Sequence, residues 1–176
     1  LGGSILRDFA IISTAYGVDI REIKKAGGAG VVALTLGIFG SFAIGAALAY
    51  AFGYRDAESL ATIGAGAATY IVGPVTGTAI GASSEVIAIS VAAGLVKAIM
   101  VMVGTPLMAK YIGLNNPKSA MAFGGLMGTT SGVAGGLAAT DQRLVPYGAM
   151  TATFYTGLGC LLAPSVFYFM MRIMFG

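Results

Sequence analysis

Chemistry without histidine or paired carboxylates is what the stretch Gly128–Asp141, GTTSGVAGGLAATD, is equipped for: four hydroxyl side chains among four glycines. Where a membrane helix breaks, hydroxyl and freed carbonyl oxygens can hold a hard monovalent cation. The N–H groups that open the next half-helix can hold an anion. Gly128, Thr129, Thr130, Ser131 and Gly132 are the candidates here, with Thr130 and Ser131 also as cation ligands. A second stretch, Gly64–Ser84, GAGAATYIVGPVTGTAIGASS, offers the same equipment in Gly66, Thr69, Gly73, Thr76, Gly77 and Thr78, beside Pro74. A glycine costs about 1 kcal/mol in a helix interior and a proline about 3. Neither stretch is expected to be one continuous helix. A lone glycine motif is more simply explained by close helix packing, but a matched pair of Gly/Thr breaks favours a binding site.

Four charged residues are weighed beside these candidates. Lys97 sits mid-way through an apolar run, where a cation needs a partner. It could bind a substrate carboxylate, or pair with Glu85 or with a helix of another subunit. Glu85 and Asp141 each follow a broken stretch, as Na⁺ or H⁺ ligands or as plain boundary residues. Arg143 could grip a carboxylate through its guanidinium or simply anchor the chain at the interface. Histidine is absent and Cys160 is alone, which removes imidazole catalysis, disulfides and cysteine metal sites. Glu85, Lys97 and Asp141 are too scattered to form a catalytic dyad, so no enzyme is expected and no cofactor beyond a coupling ion, Na⁺ or alternatively H⁺.

The elements that must position these residues follow from composition. The chain is 57% hydrophobic and 10% charged, far from a soluble domain, and its cations form no basic stripe for nucleic acid. It reads as a multi-pass all-α protein of the lipid bilayer. Uncharged runs at Ala26–Tyr54, Val86–Ala109 (interrupted by Lys97) and Leu144–Met171 look like ordinary spans. The runs Ser59–Ser84 and Ser119–Thr140 are the broken ones. Asp19 and Glu22 are placed to cap a helix starting near Ile20, and Ser13–Gly17 lies in a stretch too short to span that could form a third re-entrant element. The opening LGGSILRD reads like the end of a helix already under way, so an upstream segment is expected.

The two broken runs resemble each other. Setting Gly66 on Gly128 aligns GAATYIVGPVTGT with GTTSGVAGGLAAT, and residues 26–84 and 86–141 then read as two copies of span, short loop and broken segment within one transport domain covering 1–176. If each broken run crosses the membrane, Arg21, Lys24, Lys25 and Arg143 face Arg55, Lys110, Lys118 and Arg172. If each is a re-entrant hairpin, Lys110 and Lys118 change sides, the split becomes six against two, and the repeat is inverted. The preference for cations on the cytoplasmic side tilts the reading to hairpins.

ATIGAGAATYIVGPVTGTAIGASSEVIAIS, GGLMGTTSGVAGGLAATD, LVPYGAMTATFYTGLGCLLAPSV and LRDFAIISTAYGVDIREIKKAG together resemble the MadM subunit of bacterial malonate:sodium symporters, over essentially the whole chain. The resemblance implies a bacterial inner-membrane secondary transporter importing malonate with Na⁺, beside a second membrane subunit resembling MadL and possible as a dimer of that complex. It assigns no ligands, so the site candidates rest on the residues alone. A more distant resemblance runs to LrgB-type membrane proteins through GTTSG and GTPLMAKYIGLNNP. It implies the alternative of organic-acid export or envelope integrity, but Gly132 stands where the LrgB-like motif has histidine.

Overall fold

A computed structural model describes the backbone from Ile20 to Gly176 and the side chains from Gly27 onward. Ser13–Gly17, Asp19 and the side chain of Glu22 lie outside what is described. The described chain is helical throughout: α1 (Ile20–Ala51), α2 (Ala57–Ala68), α3 (Val72–Ile80), α4 (Ser84–Met108), α5 (Pro117–Met127), α6 (Thr130–Ala138), α7 (Val145–Leu162) and α8 (Tyr168–Phe175). A 3₁₀ turn precedes α7, and a π-helical turn, Ala163–Phe167, joins α7 to α8.

Among the described residues three segments are long and apolar enough to cross a bilayer: Gly27–Ala51, Ser84–Met108 and Gln142–Phe175. They match the three expected spans to within a few residues. Gly27 supplies the kink that starts the first, at φ +66°. Val32, Leu36 and Ile44 on α1, and Ile99, Val103 and Leu107 on α4, point outward, as lipid-facing residues do. Lipid tails give little reward for hiding such groups, so close packing must hold the helices together. Phe167 accordingly stacks on Phe39 and Phe42, with ring centroids 4.9 and 4.4 Å apart.

Both broken runs are helix–break–helix, each half of 9 to 12 residues and too short to cross alone at about 1.5 Å per residue. The caps explain the starts. Asp56 accepts from the Ser59 N–H at 2.8 Å to open α2, and Asn116 forms a reciprocal box with Ser119, before Pro117, to open α5. Pro74 breaks nothing, because it falls in the first turn of α3, where its missing N–H has no helical partner to lose.

The halves fold back on each other. A Cβ on Gly73 would lie 2.9 Å from the Gly66 Cα, and one on Gly77 would lie 2.8 Å from the Thr62 Cγ2. These pairings step in opposite directions along α2 and α3, so the legs are antiparallel. In the second run, Gly148 of α7 meets both the Ala120 carbonyl and the Val133 and Leu137 side chains, at similar chain distances before and after the break. Both runs are therefore re-entrant hairpins.

Two end clusters fix the faces. Ala49, Leu60, Val86, Ala82 and Phe175 gather at one face, and Ala109, Leu114, Ala120 and Leu144 at the other. The first hairpin enters and leaves by the first face, the second by the second face. α1 and α4 consequently run in opposite directions.

The alignment of Gly66 with Gly128 does not survive. α2 and α5 end at Ala68 and Met127, 59 residues apart, and α3 and α6 begin at Val72 and Thr130, 58 apart. The residue matching Gly128 is therefore Thr69 or Tyr70. In Gly/Ala/Thr-rich sequence the register slides freely, because small residues are interchangeable until packing distinguishes them.

Candidate functional site

At the first break the backbone closes on itself. Thr69 is extended (φ −162°, ψ 149°), its N–H returns to the Ala65 carbonyl, and its own carbonyl accepts from Val72 at 3.0 Å and Gly73 at 3.4 Å. The Ala68 carbonyl lies buried at the end of α2. Lys97 Nζ donates to it at 2.8 Å and to Ser41 Oγ of α1 at 2.9 Å. An ammonium at a helix C-terminus meets the negative end of the helix dipole. Among the described residues this cation is therefore held by oxygens alone, with no carboxylate beside it.

The second break stays open. Gly128 turns in the left-handed region (φ +72°, ψ −9°), its N–H bonded to Gly124 at 2.9 Å. Thr129 caps α6 without a side-chain bond, and its Oγ1 is fully buried with no partner among the described residues. The bond from Val133 N–H to the Thr129 carbonyl, 2.8 Å, is the first of α6. The N–H groups of Thr130, Ser131 and Gly132 precede it and have no intrahelical acceptor. Gly128 lies on the ring of Tyr155, so any side chain there would collide with it. Tyr155 is fully buried and donates its hydroxyl to the Gly37 carbonyl at 3.0 Å.

The two breaks come together. On α4, a Cβ at Gly94 would lie 2.5 Å from the Tyr70 Cα at the first break, while Ala98 O lies 2.7 Å from the Cβ position of Gly132 beyond the second. On α7, Tyr155 touches Gly128 and Gly159 touches Val72. In both helices the contacts are four residues apart, about 6 Å of rise. Lys97 Nζ sits 5.3 Å from the Tyr155 ring centroid, within cation–π range. Ser41, Ala68, Lys97, Gly128, Thr129 and Tyr155 thus surround one locus near the middle of all three spans. An apolar groove of about 440 Å³ between α1 and α4 leads toward it from the first face and ends at Gly45 and Ala93, one turn short of Ser41 and Lys97.

The sequence candidates divide by position. Thr69, Gly128, Thr129 and Lys97 lie at the locus, with half-buried Thr130 and exposed Ser131 in the adjoining first turn of α6. Gly66 and Gly73 press on Ser90, Gly77 on Ile87, and Gly132 on Ala98, so these four serve close helix approach. Thr76 is buried with an unpartnered hydroxyl in the body of the first hairpin, and Thr78 is exposed. Glu85 is exposed in the first turn of α4, nine residues or about 13 Å from Gly94, and takes no part in holding Lys97. Asp141 forms a two-bond ion pair with Arg143 at the second face, Oδ2 to Nη2 at 2.8 Å and Oδ1 to Nε at 3.0 Å. That hydrogen bonding holds its carboxyl below the usual range. Ser41, Gly37, Gly94, Tyr155 and Gly159 were not anticipated. Their only sequence signal is a small or polar residue mid-way along a span.

Residues 1–175 match the protein family described as the malonate/sodium symporter MadM subunit. No curated protein matches the chain, and no solved structure does.

Proposed function

The chain belongs to the MadM family of malonate/sodium symporter subunits, and on that premise we propose that the locus between its two hairpin tips is the malonate site. The observation carrying this reading is Lys97, a cation in the middle of a span, lying between a break whose last helical carbonyl it covers and one whose buried Thr129 hydroxyl has no partner among the described residues. One carboxylate of malonate pairs with Lys97. The other takes the unpaired N–H groups of the first turn of α6 and the Thr129 hydroxyl, as anions do at helix N-termini. Na⁺ takes hydroxyl and carbonyl oxygens around Thr129, Thr130 and Ser131.

Span, loop and hairpin occur twice with opposite sense, which supports an inverted repeat with alternating access about the fixed locus. Lys110, Lys118 and Arg143 share a face with the start of α1, which carries Arg21, Lys24 and Lys25, while Arg55 and Arg172 lie opposite. That bias makes the second face cytoplasmic in the bacterial inner membrane. A MadL-like subunit completes the transporter.

Liposomes holding the chain with and without its partner subunit test the proposal by malonate-dependent ²²Na⁺ uptake. Coupled uptake that Lys97→Met eliminates is the expected result. Malonate flux indifferent to Na⁺, or retained in Lys97→Met, overturns it.

A further inference from the structure

Tyr155 has a position that the proposed site does not yet use. It is one of the largest fully buried side chains in the described protein. Its ring is the common neighbour of the Lys97 ammonium and of Gly128, which adjoins Thr129 and the first turn of α6. Its hydroxyl is bonded to the backbone of α1, 118 residues away in sequence. The two groups assigned to the two carboxylates therefore both adjoin one rigid ring, and that ring is pinned through its hydroxyl.

Resting on the malonate reading above, we propose that Tyr155 is the positioning residue that sets chain-length selectivity. The ring holds the ammonium and the open half-helix N-terminus at a fixed spacing. Malonate places its carboxylates on a single methylene, and succinate on two. A spacer that cannot yield favours the one dianion whose carboxylates match the spacing, which on the malonate reading is the shorter, and penalises one that must bend to reach both anchors. Tyrosine suits this role because it has few rotatable bonds, and its ring face also attracts the Lys97 cation. Gly128 is then explained twice over: it supplies the left-handed turn, and it leaves room for the ring to lie directly on the backbone.

The test is competition in proteoliposomes holding the complete transporter. Uptake of radiolabelled malonate is measured against unlabelled malonate, succinate and acetate for wild type, Tyr155→Phe, Tyr155→Leu and Tyr155→Met. Wild type should prefer malonate to succinate by at least about tenfold, the usual effect of one methylene in a fitted pocket. Tyr155→Phe keeps the ring and should keep that preference, even where loss of the bond to Gly37 lowers the rate. The two ringless variants should lose most of it, with malonate weakened more than succinate. Two of them are included so that one failing to assemble leaves the other to decide.

A merely structural role would lower uptake of both dianions alike and leave the ratio unchanged, and that result overturns the inference. So does a ratio lost in Tyr155→Phe. If wild-type liposomes take up no malonate, the proposed function itself fails. If they do and the ratio survives removal of the ring, only the role of Tyr155 fails.

Discussion

The first hairpin tip and the second are built from similar sequence but end differently. At the first, Thr69 takes back its own backbone bonds and Lys97 covers the last carbonyl of α2. At the second, a left-handed glycine ends α5, and a buried threonine hydroxyl and the first N–H groups of α6 have no partner. The legs differ too. Those of the first hairpin touch directly through Gly66, Gly73 and Gly77, whereas Gly148 of α7 meets both legs of the second. A glycine-rich break in a membrane is thus not a site by itself. It becomes one where the backbone is left unsatisfied, since an unpaired polar group in that environment costs several kcal/mol until something binds it.

Substitutions that force the two tips to behave alike should show the largest effects. Gly128→Val puts a β-branched residue into left-handed backbone, costing about 1–2 kcal/mol, and drives it into the Tyr155 ring. Malonate uptake should vanish, and size-exclusion chromatography of the complex will show whether assembly survives. Gly66→Val meets the Ser90 backbone instead, so assembly itself should fail. Intact complex with the Gly66 variant would contradict the packing role given to that residue.

Lys97→Met removes the cation between the tips without placing a new charge in the membrane. Uptake should fall about a hundredfold, the scale of losing one partner of a desolvated charge pair, with complex yield kept. Thr129→Val tests the open tip more gently. Its apparent affinity for malonate should drop about tenfold, the scale of one hydrogen bond to a charged group, and Thr69→Val at the closed tip should drop less. Equal losses in titrations of uptake against malonate would erase the contrast between the tips.

The smallest effect belongs to Asp141. With its carboxyl held below the ordinary range by Arg143, it is ionised throughout the neutral range. Its ion pair is present at higher pH and weakens only as pH falls through that depressed value. Asp141→Asn should therefore leave the pH profile of uptake between about pH 5.5 and 8 unaltered, with rates within about twofold. A displaced profile or a changed Na⁺ requirement would return Asp141 to the coupling-ion site.

Much of the architecture was legible in the residues because the bilayer is a demanding solvent. Long uncharged runs had to be spans, and glycine and threonine clusters had to interrupt them. The cation count then favoured hairpins, which the structure bears out. The repeat register was not legible, since alanine, glycine and threonine carry almost no positional information of their own. Gly66 and Gly128 looked equivalent as letters. One lies inside a helix against Ser90 and the other ends a helix on Tyr155.

What the sequence determined by itself is the set of elements: three spans, two interrupted segments and one lysine stranded mid-span, because hydropathy and backbone propensity act locally. The tertiary structure alone decided which interruption Lys97 covers and which keeps a buried, unpartnered threonine at its tip. That depends on where Ser41, Gly94 and Tyr155 arrive from distant spans, and their types say nothing of their depth or direction until the helices pack. Lys97 was visible as an anomaly in the sequence. Its place between the two hairpin tips came only from the fold.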